Sequence, residues 1–510
     1  MSRSSHRALA RKASATTLPP IYGDPDLLHS FLSDAAHVPG GTAQGVVFPT
    51  SADQVAAVVR ASTHVLPVGA QSSLTGGATP RGDVVLSTRA LSAIAEPRDE
   101  TVRVGAGVPL SHFRQFLSAR RLCYPPVPTF DGAFVGGTVA TNAAGAATFK
   151  YGVTRDWVAG LTIVLADGSI LELMRGDVRA SNAGVIEIET DSGVIRIVIP
   201  TYRVPTLPKV SAGYFTQPRL DLVDLFVGSE GTLGVITDAT LRIKDRPPRC
   251  VALITCSSET QAVAVAGMLR AEARAAETPL DLAAIEYVDA RSLALLDEAA
   301  YDRAGVQRPA GDSTLLIAQM ETERGVDTTL TRFHEILQST GVAGDPLVAL
   351  PDDDRTAMRL FELREAVPAA VNARVAAAKA RGGEGIQKVA GDFIVPFEGL
   401  PRALALYRDG FERRGLEYAI WGHISDGNLH PNVIPRSLED VDKGRDALRE
   451  MARAVLALGG APLAEHGVGR SPLKQEFLRE MYGESGIEQM RAVKRALDPE
   501  GKLAVGVLFP

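Results

Sequence analysis

Three glycine-bearing segments in the first 240 residues constrain the fold more than any other feature. They are GAQSSLTGG at 69–77, DGAFVGGTVATNAAG at 131–145 and VGSEGTLGVIT at 227–237, and each lies beside a predicted strand. Glycine allows positive φ and lets backbone N–H groups close around a phosphate. One such loop is typical of a turn, but three in one region favour a single long diphosphate ligand.

The chain lacks both common nucleotide-binding fingerprints. No G-x-G-x-x-G opens a helix after the first predicted strand, and no G-x-x-x-x-G-K-[ST] occurs. The first motif is typical of a Rossmann domain that binds a nicotinamide cofactor, and the second of a phosphate-loop nucleotidase. Both classes are therefore disfavoured.

Composition and charge exclude other classes of function. The chain has 510 residues, with 54 Lys and Arg against 60 Asp and Glu, so two or three domains are expected and nucleic acid is disfavoured as the main partner. No apolar run reaches the roughly 18 residues that a membrane-spanning helix needs. Cys123, Cys250 and Cys256 cannot form a paired framework and fit a reducing compartment. The basic, Ser-rich first twenty residues predict a disordered tail, with an organelle transit peptide as the alternative.

The pattern along the chain predicts an α+β fold. GVVFPTSADQVAAVVRAS followed by VLPVG indicates a β-α-β start, with Ser51 and Gln54 at capping-box spacing. LTIVLADGSILEL indicates a hairpin with a two-residue turn at Asp167 and Gly168. Strands and helices then alternate after the charged cluster KDRPPR, and residues 440–510 are mostly helical. The predicted divisions are a flexible lead-in at 1–40, a first domain at 41–246 and a second at 247–510.

The stretch YAIWGHISDGNLHPNVIP is the most informative for chemistry. A two-residue turn at Asp426 and Gly427 pairs His423 with His430, which puts the two imidazoles on one face with Cβ atoms ~5 Å apart. That separation suits a divalent metal ion. The alternative is that both histidines are structural.

The segment PLAEHGVGR adds a carboxylate and a third imidazole. On a strand, Glu465 and His466 point to opposite faces, so only one of them can bind the metal unless Gly467 bends the chain. Two imidazoles and one carboxylate with open positions are typical of a catalytic site. The alternative is a loop ion pair.

Residues 42–245 resemble the FAD-binding domain of the vanillyl-alcohol oxidase (PCMH) type. The resemblance is carried by PVGAQSSLTGG, by FVGGTVATNAAG followed by YGVTRDWVAGLTIVLADG, and by GSEGTLGVIT. In the first loop Ala70 and Gln71 replace glycines of the family pattern, and no His or Cys is present to bind flavin covalently. The resemblance implies non-covalent FAD, bound by Gly69, Gln71, Ser72, Ser73, Gly76, Gly77, Gly136, Gly137, Thr141, Asn142, Gly152, Gly234 and Ile236.

GHISDGNLHPN and AEHGVGR resemble, in the same order, the C-terminal signatures of FAD-linked D-2-hydroxyacid dehydrogenases. That group includes D-lactate dehydrogenase, glycolate oxidase and D-2-hydroxyglutarate dehydrogenase. LREAVPAAVN and KVAGDFIVP resemble further segments of the family. The implied roles are a divalent metal, zinc-like, on His423, His430 and Glu465, His466 as base, Arg364 on the substrate carboxylate, and Lys388 and Asn432 near the substrate.

The resemblance implies FAD- and metal-dependent oxidation of a D-2-hydroxy acid, D-lactate-like, to the 2-oxo acid. An alcohol proton has a pKa near that of water, about 16, against about 6.5 for histidine, so a base alone falls ~13 kcal/mol short. A bound metal can close that gap. Alternatives are a flavin-dependent transferase of the alkylglycerone-phosphate synthase type and a zinc hydrolase. The electron acceptor (quinone, cytochrome or electron-transfer flavoprotein) and the oligomeric state stay open. The expected location is the cytoplasm, and the alternatives are association with a membrane surface and import into an organelle.

Overall fold

The computed structural model describes residues 5–126, 128 and 130–510. Up to residue 245 the chain forms short helices among several small sheets. The strands are β1 Arg7–Leu9, β2 Thr42–Val47, β3 Val65–Val68, β4 Arg81–Ser87, β5 Thr101–Gly105, β6 Leu122–Cys123, β7 Val158–Val164, β8 Ile170–Met174, β9 Val185–Thr190, β10 Gly193–Val198, β11 Val235–Arg242 and β12 Lys244–Asp245. The helices are α1 Pro25–His29, α2 Ala52–Ala61, α3 Leu110–Ser118, α4 Val135–Ala140, α5 Thr148–Tyr151, α6 Thr154–Trp157 and α7 Leu222–Phe226.

The predicted β-α-β start is present. β2 and β3 both pair in parallel with β4, which lies between them, and α2 connects β2 to β3. Ser51 caps α2 by accepting a hydrogen bond from the backbone N–H of Gln54, as the capping-box spacing predicts. The valines of one helical face are buried in a core cluster between this sheet and the sheet that contains β7.

The hairpin β7–β8 lies at the end of an antiparallel sheet of order β5-β11-β7-β8. Its turn is longer than the two residues expected, because Leu165 pairs with Ser169 and three residues lie between them. Gly168 adopts φ +79° at the last of these positions, and the Asp167 carboxylate accepts from the N–H of Ser169. The hairpin prediction is correct, but its turn type is wrong.

The N-terminal segment differs from the disordered tail that its composition suggests. β1 pairs in parallel with β9, and Arg7 forms an ion pair with Glu187. The small side chains of Ala8 and Ala10 point into the hydrophobic core and are buried there. Residues 7–9 therefore form the third strand of the sheet with β9 and β10, while Ser5 and Arg11 make single bridges to Val178 and to Ile170 of β8.

The second half of the chain contains one large sheet with helices packed on it. Its strands are β13 Arg249–Cys256, β14 Asp281–Val288, β15 Thr314–Glu321, β16 Leu347–Ala349, β17 Val389–Ala390, β18 Phe393–Ile394, β19 Tyr418–His423 and β20 Asn428–Val433. Its helices are α8 Glu259–Ala273, α9 Ala290–Ala294, α10 Glu298–Ala304, α11 Val326–Ser339, α12 Asp354–Gly382, α13 Leu400–Glu412, α14 Leu438–Ala457 and α15 Pro472–Leu497. The order β16-β13-β15-β14-β19-β20-β17 is antiparallel throughout and places β19 beside β14 and β20 beside β19, while β18 also pairs with β20.

In the part of the chain that the structure describes, no helix combines the length and the apolar composition needed to cross a membrane.

Candidate active site

The histidine hairpin forms, but its register differs from the sequence prediction by two residues. His423 lies opposite Asn428, and His430 lies opposite Trp421. The cause is the turn: residues Ile424–Asp426 form a short 3-10 turn, and Gly427 with φ +82° ends it. A shift of two residues keeps every side chain on its face. The imidazoles are therefore diagonal neighbours, with ring centroids 5.6 Å apart, instead of a directly opposed pair.

Glu465 and His466 do not lie on a strand, so the expectation that they point to opposite faces is wrong. The chain bends through them, and Gly467 adopts φ +74°. A single carboxylate oxygen of Asp392 accepts the backbone N–H groups of both residues, at 2.9 and 2.8 Å. The bend brings Glu465 Oε1 to 3.6 Å from Nε2 of His466.

Glu465 Oε1 is the point at which the imidazoles converge. It lies 3.3 Å from Nε2 of His423 and 3.3 Å from Nε2 of His430. Ligand atoms bound at about 2.1 Å in tetrahedral geometry lie about 3.4 Å apart. Glu465 therefore lies at ligand spacing from each of the two imidazoles. Among the described residues, the group whose ligand atoms all lie within 4.8 Å of one another consists of Asp392, His430, Glu465 and His466, and it does not include His423.

A second carboxylate fixes the tautomer of His423. Glu286 lies directly opposite it on β14, and Glu286 Oε1 accepts a hydrogen bond from Nδ1. In the neutral ring, the lone pair of Nε2 then faces the negative Glu465 carboxylate, and a cation bound between them would remove this repulsion. When no cation is bound, burial acts to lower the pKa of His423, but the carboxylates of Glu286 and Glu465 have the larger effect and raise the pKa to about 9.

His466 lies at the edge of this cluster and faces the interior cavity. Its ring stacks on that of His430 with centroids 4.9 Å apart, and its side chain is 24% exposed. Nδ1 lies 3.5 Å from Asp392 Oδ2. Burial lowers the pKa of His466 below its ordinary value of 6.5 despite the opposing Asp392 carboxylate. The imidazole is therefore neutral at pH 7 and able to accept a proton.

The candidate substrate residues lie near the histidine hairpin but are not among the residues that line this cavity. Arg364 on α12 is buried and donates from Nε to Glu286 Oε2 at 2.7 Å, so Glu286 bridges it to His423. Lys388 Nζ lies 5.5 Å from the centre of the Trp421 ring and has a long contact, 3.4 Å, with Asn372. Burial and the neighbouring Arg364 lower the pKa of Lys388 to about 8.

The contacts of Asn432 give less support to a role in substrate binding than those of Arg364 and Lys388 do. It is buried on β20, and its side-chain amide donates to the backbone carbonyl of His430 at 2.7 Å. This bond supports the strand that carries His430.

The glycine loops line one elongated cavity, which continues to Glu465 and His466. Ten of the predicted FAD residues line it: Gly69, Gln71, Ser72, Ser73, Gly77, Gly136, Gly137, Thr141, Gly234 and Ile236. The backbone N–H groups of residues 70–74 donate no hydrogen bond to a described residue, as expected of an anion nest. Gln71 adopts φ 55°, a left-handed conformation that glycine adopts more readily than other residues.

Three predicted FAD residues lie behind the cavity wall and shape the backbone. Gly76 and Gly152 adopt φ +74° and +73°. Asn142 also has positive φ, and its side-chain carbonyl accepts the backbone N–H of Arg155 at 2.9 Å. They are not among the residues that line the cavity, and their role in FAD binding stays a prediction.

Five charged residues of the site were not predicted from the sequence. Glu286 left a signal, since it is a lone acid within the apolar strand AAIEYV, and Asp392 and Asp426 lie in segments already singled out. Glu230, in the third glycine segment, lines the cavity and accepts the N–H groups of Val468 and Gly469. The fifth, Lys209, lies in an irregular loop without any pattern.

Family comparison agrees with this arrangement. The family described as "FAD binding domain" matches residues 43–174, and "FAD linked oxidases, C-terminal domain" matches residues 247–508, more than half of the chain. The chain belongs to the FAD-linked oxidase family. The predicted resemblance and the α+β fold with a PCMH-type FAD domain are confirmed. The protein is an FAD-dependent oxidoreductase of the class that acts on CH–OH groups.

This FAD-linked oxidase resembles enzymes that bear different substrate names. It is 30% identical over 482 residues to the D-2-hydroxyglutarate dehydrogenase of Xanthomonas citri pv. viticola, covering 91% of this chain and 89% of the relative. It is 28% identical over 470 residues to a probable mitochondrial D-lactate dehydrogenase of Danio rerio, covering 90% and 83%. The solved 4-ethylphenol oxidase from Gulosibacter chungangensis shares the fold, with a TM-score of 0.66 and 17% identity over 96% of this chain and 94% of that one.

Proposed function

We propose that this FAD-linked oxidase converts a D-2-hydroxy acid, D-lactate-like, to the 2-oxo acid with a divalent ion held by His423, His430 and Glu465. The observation that carries the proposal is the shared cavity: the loops that fit a flavin diphosphate and the pair Glu465–His466 line the same space. A hydroxy acid between them would have its hydroxyl near the base and its carbon near the flavin.

The reaction removes a hydride from carbon and a proton from oxygen. When bound, FAD accepts the hydride and a divalent ion lowers the pKa of the hydroxyl that it contacts. His466, neutral at pH 7, accepts the proton. Asp392 faces Nδ1 of that ring, which leaves Nε2 as the atom that takes up the proton.

The substrate carboxylate is assigned to Arg364. Nε of this side chain is bonded to Glu286 and Nη1 to Glu365, while Nη2 donates no hydrogen bond to a described residue, so the Nη2 donors are left for a carboxylate. Lys388 adds a second cation beside Arg364. Since Glu286 also contacts His423, the substrate anchor and the metal ligands are connected through one carboxylate.

A panel of D- and L-2-hydroxy acids, mixed without oxygen with the purified FAD-bound protein, tests the proposal. Bleaching of the flavin band by a D-acid and not by its L-isomer is expected. The variant His334→Ala, which changes an exposed histidine on α11, is the matched control and should bleach like the wild type. Absence of bleaching with every acid would contradict the proposal and favour the transferase alternative.

A cytoplasmic location is part of the proposal. Among the described residues the three cysteines are unpaired, which fits a reducing compartment.

A further inference from the structure

Lys209 is a buried cation whose contacts connect the two halves of the chain. It lies in the loop between β10 and α7, in the FAD-binding half, and its side chain has no exposed surface. Its ammonium lies 2.7 Å from Glu465 Oε2 and 3.3 Å from Asp426 Oδ2, both in the C-terminal half. A fully buried ammonium is costly, so both carboxylates are needed to hold it there.

The loop that carries Lys209 is firmly docked. The backbone N–H of Ser211 donates to the carbonyl of Leu463 at 3.2 Å, two residues before Glu465. Leu207 and Val210 pack against a small apolar cluster formed by Ile394, Ala461 and Ala464. The position of the ammonium relative to Glu465 is therefore set by the backbone.

The two oxygens of Glu465 have different partners. Oε2 accepts its hydrogen bond from Lys209, while Oε1 faces Nε2 of His423 and His430. Among the described side chains, the hydrogen bond to Oε2 comes from Lys209. The ammonium thus leaves one oxygen of Glu465 for an ion.

We propose that Lys209 is a positioning residue for metal binding, which holds Glu465 as a ligand through a single oxygen. The inference rests on the metal site of the proposed function. This role of Lys209 makes the metal site dependent on the FAD-binding half. Without the ammonium, Glu465 and Asp426 would repel each other, and Oε1 of Glu465 would lose its fixed direction.

The ammonium has two effects on metal binding that act in opposite directions, so the direction of the change in a variant shows which effect is larger. A cation close to a metal site repels the incoming ion, so removing its charge alone would strengthen metal binding. Removing a neighbour that orients a ligand typically weakens metal binding 10- to 100-fold. Since Asp426 already neutralises much of the charge of Lys209, we expect the positioning effect to dominate.

The experiment measures Zn²⁺ affinity by competition with a chromophoric chelator, using FAD-bound protein. Lys209→Met should bind Zn²⁺ 10- to 100-fold more weakly than the wild type while keeping its FAD absorption. The double variant Lys209→Met/Asp426→Asn also removes the Asp426 charge, which would otherwise be left buried without its partner and could prevent folding. It should show the same weakening of Zn²⁺ binding. Lys150→Met is the matched control: Lys150 also joins the two halves, through Asp281 at 2.7 Å, and its loss should leave Zn²⁺ affinity unchanged.

Equal or tighter Zn²⁺ binding by the FAD-bound double variant would overturn the role of Lys209 while leaving the proposed metal site intact. A wild-type protein that binds no Zn²⁺ or Mn²⁺ would instead overturn the metal site, and the role of Lys209 with it.

Discussion

Nδ1 of His423 is hydrogen-bonded to Oε1 of Glu286, the residue directly opposite it on the neighbouring strand β14. The other oxygen of Glu286 accepts from Arg364 at 2.7 Å. These contacts hold the pKa of Glu286 down at about 2, although burial alone would raise it. One buried carboxylate therefore orients both a candidate metal ligand and the candidate substrate anchor.

The variant Glu286→Gln should disturb both functions at once. A neutral amide fixes the His423 tautomer less firmly and no longer holds the Arg364 guanidinium by an ion pair, so both side chains lose their fixed orientation. We therefore expect Zn²⁺ affinity to fall 10- to 100-fold and KM for the hydroxy acid to rise. Chelator competition and steady-state kinetics measure the two effects.

Glu365→Gln is the control for the loss of charge near Arg364. Glu365 contacts Nη1 of that arginine at 3.1 Å and is not in contact with His423. Its variant should change KM without changing Zn²⁺ affinity, and a loss of Zn²⁺ affinity equal to that of Glu286→Gln would contradict the bridging role.

The flavin cavity can be tested at Gly137. A β-carbon added there would meet no protein atom within 4 Å, and the residue lines the cavity. Gly137→Val should therefore fold normally yet bind FAD at least about tenfold more weakly, since its side chain occupies ligand space. Circular dichroism checks the fold and flavin absorbance the occupancy. Gly23→Val, at a loop glycine with equal free space, should keep FAD; full occupancy in Gly137→Val would show that this wall does not contact the cofactor.

Lys388 predicts a pH dependence of substrate binding. Burial and Arg364 lower its pKa to about 8, from an ordinary value of 10.5. A lysine is charged below its pKa, so this cation is present at pH 7 and lost as pH rises through 8. KM for a hydroxy-acid anion should accordingly increase above pH 8, by up to about tenfold per pH unit if binding requires the charge.

In Lys388→Met, KM should be high already at pH 7 and should not rise further through this range. Profiles of KM from pH 6 to 10 for both proteins test this. A wild-type rise that persists unchanged in the variant would assign the titration to another group.

Local patterns predicted the face of the site, but not its register or its distant partners. The Asp426–Gly427 turn signal located the hairpin and placed His423 and His430 on one face, because a shift of two residues preserves the face. The register depends on a 3-10 turn at Ile424–Asp426, which no short motif specifies.

Distant partners required the tertiary structure. Glu286 is 137 positions away from His423, and the sheet order that makes them neighbours cannot be derived from either strand alone. Lys209 reaches Glu465 from a loop with no periodicity. The bend at Gly467 was identified as the condition under which Glu465 and His466 could share a site, and the positive φ of that glycine meets the condition.

The rate of flavin reduction in His466→Ala tests the central claim most directly. After anaerobic mixing with the D-2-hydroxy acid that bleaches the wild type, the variant should retain bound FAD and Zn²⁺ but reduce its flavin ~10²–10⁴-fold more slowly, because the proton acceptor is missing. A variant that reduces its flavin at the wild-type rate would contradict His466 as the base. Loss of Zn²⁺ from His466→Ala, together with retention in Glu465→Gln, would show that the two residues have the opposite roles.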